Sequence, residues 1–580
     1  MLFTLSSLVL ASFVAAPCLA SSQAAFSIPG ADDSDNYEFK WPVQNVAIIG
    51  AGVSGLMAYR ELTRAGLQAH IFERDRVPGG NWYYSEETPL DAPIPSADIA
   101  VGDFVPSLPP AGVELPYTEE YKDNYADVKR GHRGPKPLWD SLHSNAPAPI
   151  QQITDFPWPV DINWELSHYQ LGKYLRSFAS FLGLNSNDEN PDTSYNTRVE
   201  RVDKYLDENG NEHGWKLLLK KLVQTDYGTL KATWYTQVFD AVVVATGRYN
   251  APHIPPIAGL PEVAQVFPDR LTHSRQYRHP EPYASETILI VGASVSGAEI
   301  SRNLNPFAKK IYQSIRPDKS DAEHIPVSAL LGRLPSNTTI VPEIKRFLPP
   351  TGSDFSAVQI ELVNGTILTG IDRVIFATGF RYSFPFLPQY HNSSIGLNDT
   401  VPTGELQPIV TDGTHIRSLH LDIFYIDDPT LCFIDMNVGM QSFTYSEYLS
   451  VAFSKVWTKK AFLPSRREMW RMHEERVKDR GGYGRYFQFL GAARTDENIR
   501  YFMAWLNTAA AKYGGRKVDS LPRGTSDIGQ YWIKARYGDL NFRFNFSALQ
   551  PLGVVDTALD MLSEEERSEA VYDAVFGDWW

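Results

Sequence analysis

Two short glycine-rich turns hold the residues whose types and spacing most directly imply chemistry. The first lies within VAIIGAGVSGLMAYRELTRAGLQAHIFERD, from Val46 to Asp75, and the second within ILIVGASVSGAEISRNL, from Ile288 to Leu304. In each, a β-branched apolar run breaks into small residues and then opens a helical pattern. A helix that starts on such a turn offers unpaired N–H groups and the positive end of its dipole, which together suit a pyrophosphate. One such turn alone is weak evidence. Two in one chain, with different residues placed to read the ribose, point to two different dinucleotides and electron transfer between them.

In the first turn Gly50 permits the bend, Gly52 lets the backbone approach a pyrophosphate, and Gly55 allows close helix–strand packing, with Val53 and Ser54 between them. Glu73 closes the next strand, about twenty residues on, where a carboxylate accepts hydrogen bonds from ribose hydroxyls and repels a 2′-phosphate. This site should hold FAD or NAD rather than NADP. The second turn reads Gly292, Ser294, Ser296 and Gly297, with serine in place of the middle glycine. Where the acid would stand, the sequence has Ser314 and Arg316. A hydroxyl and a guanidinium suit a 2′-phosphate, which favours NADPH over NADH.

Elements of regular structure must hold these turns. The chain has 580 residues, enough for two or three domains. SHYQLGKYLRSFASFLGL, from Ser167 to Leu184, has helical spacing, and the runs VERVDKYL, GWKLLLKKLV and WYTQVFDAVVVATG read as strands. The segment Pro89–Lys136 has no clean period and reads as a long surface insertion. Two ATG tripeptides, ending in Thr246–Gly247 and Thr378–Gly379, mark where the chain would cross between domains. The expected fold is α/β, with two Rossmann-like domains and the second inserted into the first. The organisation expected is a leader at 1–24, a first dinucleotide domain beginning at 42–253, a second at 254–378, and a return to the first over 379–580. A polar, aromatic-rich helical extension follows from Ser465.

Composition narrows the classes further. A net charge of −14 without any basic run argues against nucleic-acid binding. The start, MLFTLSSLVLASFVAAPCLASSQA, has the apolar core and small residues of a secretory signal, though no Lys or Arg precedes the core. With acceptor sequons at Asn337, Asn364, Asn392, Asn398 and Asn545, the expectation is a glycosylated protein of the secretory pathway without a membrane anchor once the leader is removed. Only Cys18 and Cys432 are present, so there is no redox-active cysteine pair of the kind a flavin disulfide reductase uses. Neither metal-ligand spacing nor a Ser–His–Asp signature is apparent. The oligomeric state is not specified by the sequence.

Taken together, these residues resemble the flavin-containing monooxygenases, from about Asn45 to Tyr448. GGNWYY, with Gly80, Asn81 and Trp82, is similar to the family's GG-x-W segment behind the first fingerprint. LWDSLHSNAPAPIQQITDFPWP, from Leu138 to Pro159, is similar to the family's segment with a Thr–Asn pair, here Ser144 and Asn145. FPDRLTHSRQY, from Phe267 to Tyr277, matches F-x-G-x-x-x-H-x-x-x-F/Y except at Asp269. Tyr277 stands where Baeyer–Villiger enzymes usually have Trp. The resemblance implies bound FAD, NADPH as reductant, and oxygen transfer from a flavin hydroperoxide to a small molecule, typically at amine nitrogen or sulfide sulfur. It makes Asn145 the main catalytic candidate, donating to the hydroperoxide or to NADP⁺. It makes His273 structural or cofactor-positioning. FTYSEYLS, with Glu447 and Tyr448, either shapes the substrate pocket or packs the core. Baeyer–Villiger oxidation, epoxidation and a flavoprotein scaffold that no longer oxygenates stay open as alternatives.

Overall fold

The structure is a computed structural model and describes residues 36–518, except 123–124, 147, 149–150, 160–161, 164, 227, 317–330, 332–333 and 403. The leader, Asn545 and the end of the C-terminal extension lie outside the described residues. Two sheets organise the chain. The larger has seven strands, in the spatial order Leu419–His420, Phe424–Tyr425, Leu431–Phe433, Ala241–Val244, Asn45–Ile49, Gln68–Phe72 and Thr193–Ser194. From Leu431–Phe433 onward the pairs are parallel. The smaller has five parallel strands, in the order Leu271–His273, Arg373–Phe376, Thr287–Val291, Lys310–Ser314 and Thr339–Val341. The second domain therefore interrupts the first, whose central sheet uses strands from both sides of the insertion.

Central strands such as NVAII and AVVV are almost wholly buried because helices or further sheet cover both faces, which is why they read as continuous apolar runs. On one face of the larger sheet the first fingerprint helix, Val53–Arg64, packs along a buried helix, Ser442–Trp457. The helices His168–Phe181 and Gly491–Tyr513 complete that layer. The other face packs against the antiparallel meander Thr197–Leu206, Glu212–Asp226 and Thr229–Phe239. His168–Phe181 begins on a full capping box, Ser167 with Gln170, which explains its sharp start.

The segment Pro89–Lys136 is more ordered than its composition suggested. Tyr117–Tyr121 adds an edge strand to Thr229–Phe239, and Tyr125–Arg133 is helical. YTEEY shows no apolar alternation because this edge strand is largely exposed. The two crossings between domains lie side by side, with Ala251–Pro252 pairing antiparallel to Phe380–Arg381. No helix among the described residues is long and apolar enough to cross a membrane.

Candidate functional site

At the carboxyl end of the larger sheet, residues from three separate motifs meet. Gly50 has φ +109°, and a Cβ there would stand 2.6 Å from the Ala245 carbonyl, just before Thr246. Gly80 presses its backbone on Gly52, since a Cβ on Gly80 would lie 2.7 Å from the Gly52 Cα. Gly79 N–H donates to the Ala51 carbonyl at 3.0 Å, and the Asn81 amide lies 3.8 Å from where a Gly247 Cβ would be. A Cβ on Gly55 would collide with the Gly50 carbonyl, which explains the glycine at that helix position. The helix Val53–Arg64 starts at Gly52 without a side-chain cap, so its first N–H groups have no side-chain acceptor. Val53 and Ser54 are buried at this end. The fingerprint turn, the first ATG and the GGNW loop thus form one cradle.

Glu73 is buried behind that cradle. Its Oε2 accepts the Ala51 N–H at 2.7 Å and its Oε1 the Asp75 N–H at 2.8 Å. Each oxygen keeps a second lone pair for a ribose hydroxyl. Asp435 was not foreseen. It follows the strand Leu431–Phe433 with φ +62°, 3.9 Å from Arg248, and its Oδ1 is buried without a hydrogen bond among the described residues. Burial raises its carboxyl pKa, while Arg248, Ser442 and Ser54 oppose that rise. A buried acceptor left open beside a helix N-terminus fits a ligand hydroxyl. In the sequence, the apolar run LCFI followed by an acid was the available signal. Uncapped amides, the close glycine backbones and the two acids fit FAD.

Trp82 leads from the cradle to the helix His168–Phe181, where its carbonyl lies 2.7 Å from the site of a Gly172 Cβ. Just before that helix, the Leu166 carbonyl accepts the Ser144 N–H at 2.8 Å. Ser144 is buried; its hydroxyl accepts the Ala146 N–H at 3.0 Å and donates to Gln151. Between them Asn145 exposes its side chain. Downstream, the DFPWP loop is pinned by Trp158 stacked on Tyr174 at 4.0 Å and by Thr154 donating to Glu447 at 2.7 Å. Glu447 belongs to a buried ion network with Arg60 and Arg516, and Tyr448 packs in the core. Of the two roles open for FTYSEYLS, packing is the one the structure displays.

The smaller sheet carries the second turn. Gly292 has φ +99°, and a Cβ there would lie 2.7 Å from the Ala377 carbonyl. The helix Val295–Leu304 starts at Ser294, which is exposed and forms no side-chain cap. Ser296 is half-buried, and Gly297 packs on the Gly292 carbonyl. Thr378 donates its hydroxyl to the His253 carbonyl, and the Gly379 carbonyl accepts the His253 N–H at 2.9 Å. Arg316 is exposed at the strand end. Ser314 requires a correction. It is buried, and its hydroxyl proton is already donated to the Pro342 carbonyl at 3.0 Å, so it is not an open donor for a 2′-phosphate. The uncapped helix start, the close turn and Arg316 fit NADPH.

His273 is held by backbone groups at both ring nitrogens. Its Nδ1 accepts the Arg275 N–H at 3.1 Å, which leaves Nε2 to donate to the Gly379 carbonyl at 3.1 Å. Burial, reinforced by Arg275, pushes its pKa down to about 3, so the ring stays neutral. Tyr277 is buried and donates to Asn303. Cys432 is buried with its thiol pKa pushed well up by desolvation, which makes it inert. No group of three or more potential metal ligands occurs among the described residues.

Known proteins place this arrangement. A model of flavin-binding monooxygenase-like proteins matches residues 125–320, and one of NAD(P)-binding Rossmann-like domains matches residues 48–97. The flavin-containing monooxygenase iboF of Amanita muscaria is 55% identical over 514 residues, spanning 86% of this chain and 96% of that protein. The flavin-containing monooxygenase ustF2 of Aspergillus flavus is 30% identical, over 80% of this chain and 92% of its own length. Among solved structures, S-allyl-L-cysteine S-oxygenase from Allium sativum shares the fold, with a TM-score of 0.59 at 22% identity, covering 92% of this chain and 98% of that one. Sharing more than half of its aligned residues with a flavin-containing monooxygenase along nearly that protein's full length, the chain belongs to this family and is a monooxygenase that uses FAD and NADPH.

Proposed function

We propose that the enzyme transfers one atom of O₂ to the nitrogen or sulfur of a small organic nucleophile, as a tailoring step in small-molecule biosynthesis. The observation that carries this reading is Asn145, an exposed neutral amide on a turn whose neighbours are tied down. FAD supplies the chemistry that activates O₂, with NADPH as the electron source. The chain's own task is then to bind both cofactors, keep water out and hold oxygen in place. An amide donor stabilises developing negative charge without giving up a proton. His273 cannot supply one, being buried and neutral. Such a site suits a substrate that is itself the nucleophile, so no base is needed to activate it. That an S-oxygenase has the same fold is consistent with sulfur as acceptor.

The experiment offers the FAD-loaded enzyme a tertiary amine, a thioether, a ketone and an alkene, each with NADPH and air. The expected outcome is N-oxide or sulfoxide formed with one NADPH oxidised per product. Ester or epoxide as the dominant product would replace this reading with Baeyer–Villiger or epoxidising chemistry.

A further inference from the structure

Three arginines from separate stretches converge beside the second ATG turn. Arg316 follows the strand Lys310–Ser314, Arg381 ends the crossing strand Phe380–Arg381, and Arg485 lies between the helices Arg466–Asp479 and Gly491–Tyr513. All three act electrostatically on His253, opposed by the carboxylate of Asp412. Arg485 stands against the turn itself: a methyl group on Gly379 would be 3.5 Å from its terminal nitrogen. Among the described residues no carboxylate stands within ion-pair distance of any of the three; Asp412 and Asp98 act on Arg381 from further away, and no carboxylate is seen to act on Arg485.

The support under Arg485 is rigid although its guanidinium is exposed. Tyr483 N–H donates to the Asn398 side chain at 3.1 Å, and the Tyr483 ring stacks on His415 at 4.9 Å. On the other side Phe487 is buried, its N–H on the Gly484 carbonyl at 3.0 Å and its own carbonyl on Arg476 at 3.2 Å. An unneutralised charge on a fixed support is built to meet an anion.

Position indicates which anion. Gly379 follows the strand Arg373–Phe376, next to Thr287–Val291, and the Gly292 turn packs on Ala377. Gly379 and Gly292 therefore flank the start of the helix Val295–Leu304, where a dinucleotide pyrophosphate lies. Arg316 sits one strand further out, at the ribose position. We propose that Arg485 binds the pyrophosphate of NADPH, so that the C-terminal extension of the first domain closes over the cofactor of the second. Two arginines then serve two phosphate groups separately.

The test measures binding to the FAD-loaded enzyme by calorimetry, using NADP⁺, NAD⁺ and 2′-AMP. Arg485→Gln should weaken NADP⁺ and NAD⁺ by about tenfold each, the effect of one charge-assisted contact, and leave 2′-AMP unchanged. Arg316→Gln should weaken NADP⁺ and 2′-AMP and leave NAD⁺ unchanged. Arg485→Lys should recover part of the loss. Wild-type NADP⁺ affinity in Arg485→Gln overturns the proposal, as does a loss confined to NADP⁺ and 2′-AMP. A fall in FAD content or in the near-UV signal of Arg485→Gln would make its role structural and overturn the proposal too.

Discussion

The Asn145 side chain is exposed while Ser144 and Ala146 are tied down beside it. Replacing Asn145 by Leu keeps the turn's backbone bonds and removes the donor. Flavin reduction by NADPH should then proceed within a factor of about two of wild type. Product per NADPH should fall by about 10²-fold, the effect of deleting one oxyanion-type donor, with hydrogen peroxide appearing in its place. Stopped-flow reduction and a peroxide assay read the two halves, and unchanged coupling would remove Asn145 from the mechanism. Single residues were legible to different degrees. Glu73 could be read from sequence because a strand-end acid behind a glycine turn is a local pattern. Ser314 was misread because which way a strand-end side chain turns depends on the covering layer; here both Gln313 and Ser314 are buried. Asp435 was missed because the acid after LCFI reaches the first cradle only when the strand Leu431–Phe433 pairs with the distant Ala241–Val244.

At the scale of elements, both turns sit at strand ends, where the backbone passes close to a neighbouring strand. Ala245 closes over Gly50 and Ala377 closes over Gly292. The two cradles share this geometry without sharing a residue. Gly292→Ala forces a positive φ on a residue with a Cβ and drives that Cβ toward the Ala377 carbonyl, a strain of about 1–3 kcal/mol. The expected result is at least about tenfold weaker NADP⁺ binding with FAD content unchanged. Flavin absorbance per protein and an NADP⁺ titration check this, and parallel loss of both cofactors would show that the cradles are not independent. Strand–turn–helix units were legible because their pattern is short-range. The Tyr117–Tyr121 strand was not, since an exposed edge lacks the alternation that marks a half-buried one.

Across the whole molecule, deeply buried histidines contribute to the response to acid. Burial holds His273 and His420 at about 3 and His415 and His473 at about 4, with Arg275, Arg417 and Arg476 contributing. Each is less than 5% exposed. In the unfolded chain the same rings titrate near about 6.5, so between roughly 6.5 and 4 the unfolded state binds more protons and stability falls as pH drops. At pH 5 each contributes a loss of up to about 2 kcal/mol. Urea melts of the FAD-loaded enzyme should show a clearly lower midpoint at pH 5 than at pH 7.5, and equal midpoints would contradict the neutral, buried assignment.

The interleaving of the two sheets has a further consequence, in time rather than space. During translation the five-stranded sheet is complete once Arg373–Phe376 has emerged, because all its strands come from residues 271–376. The seven-stranded sheet must wait for Leu431–Phe433 to pair with Ala241–Val244, and for the helix Ser442–Trp457 to cover the fingerprint helix. Until then Ala241–Val244 is an open, apolar edge, the kind of surface that invites mispairing. The half of the enzyme that starts first therefore finishes last.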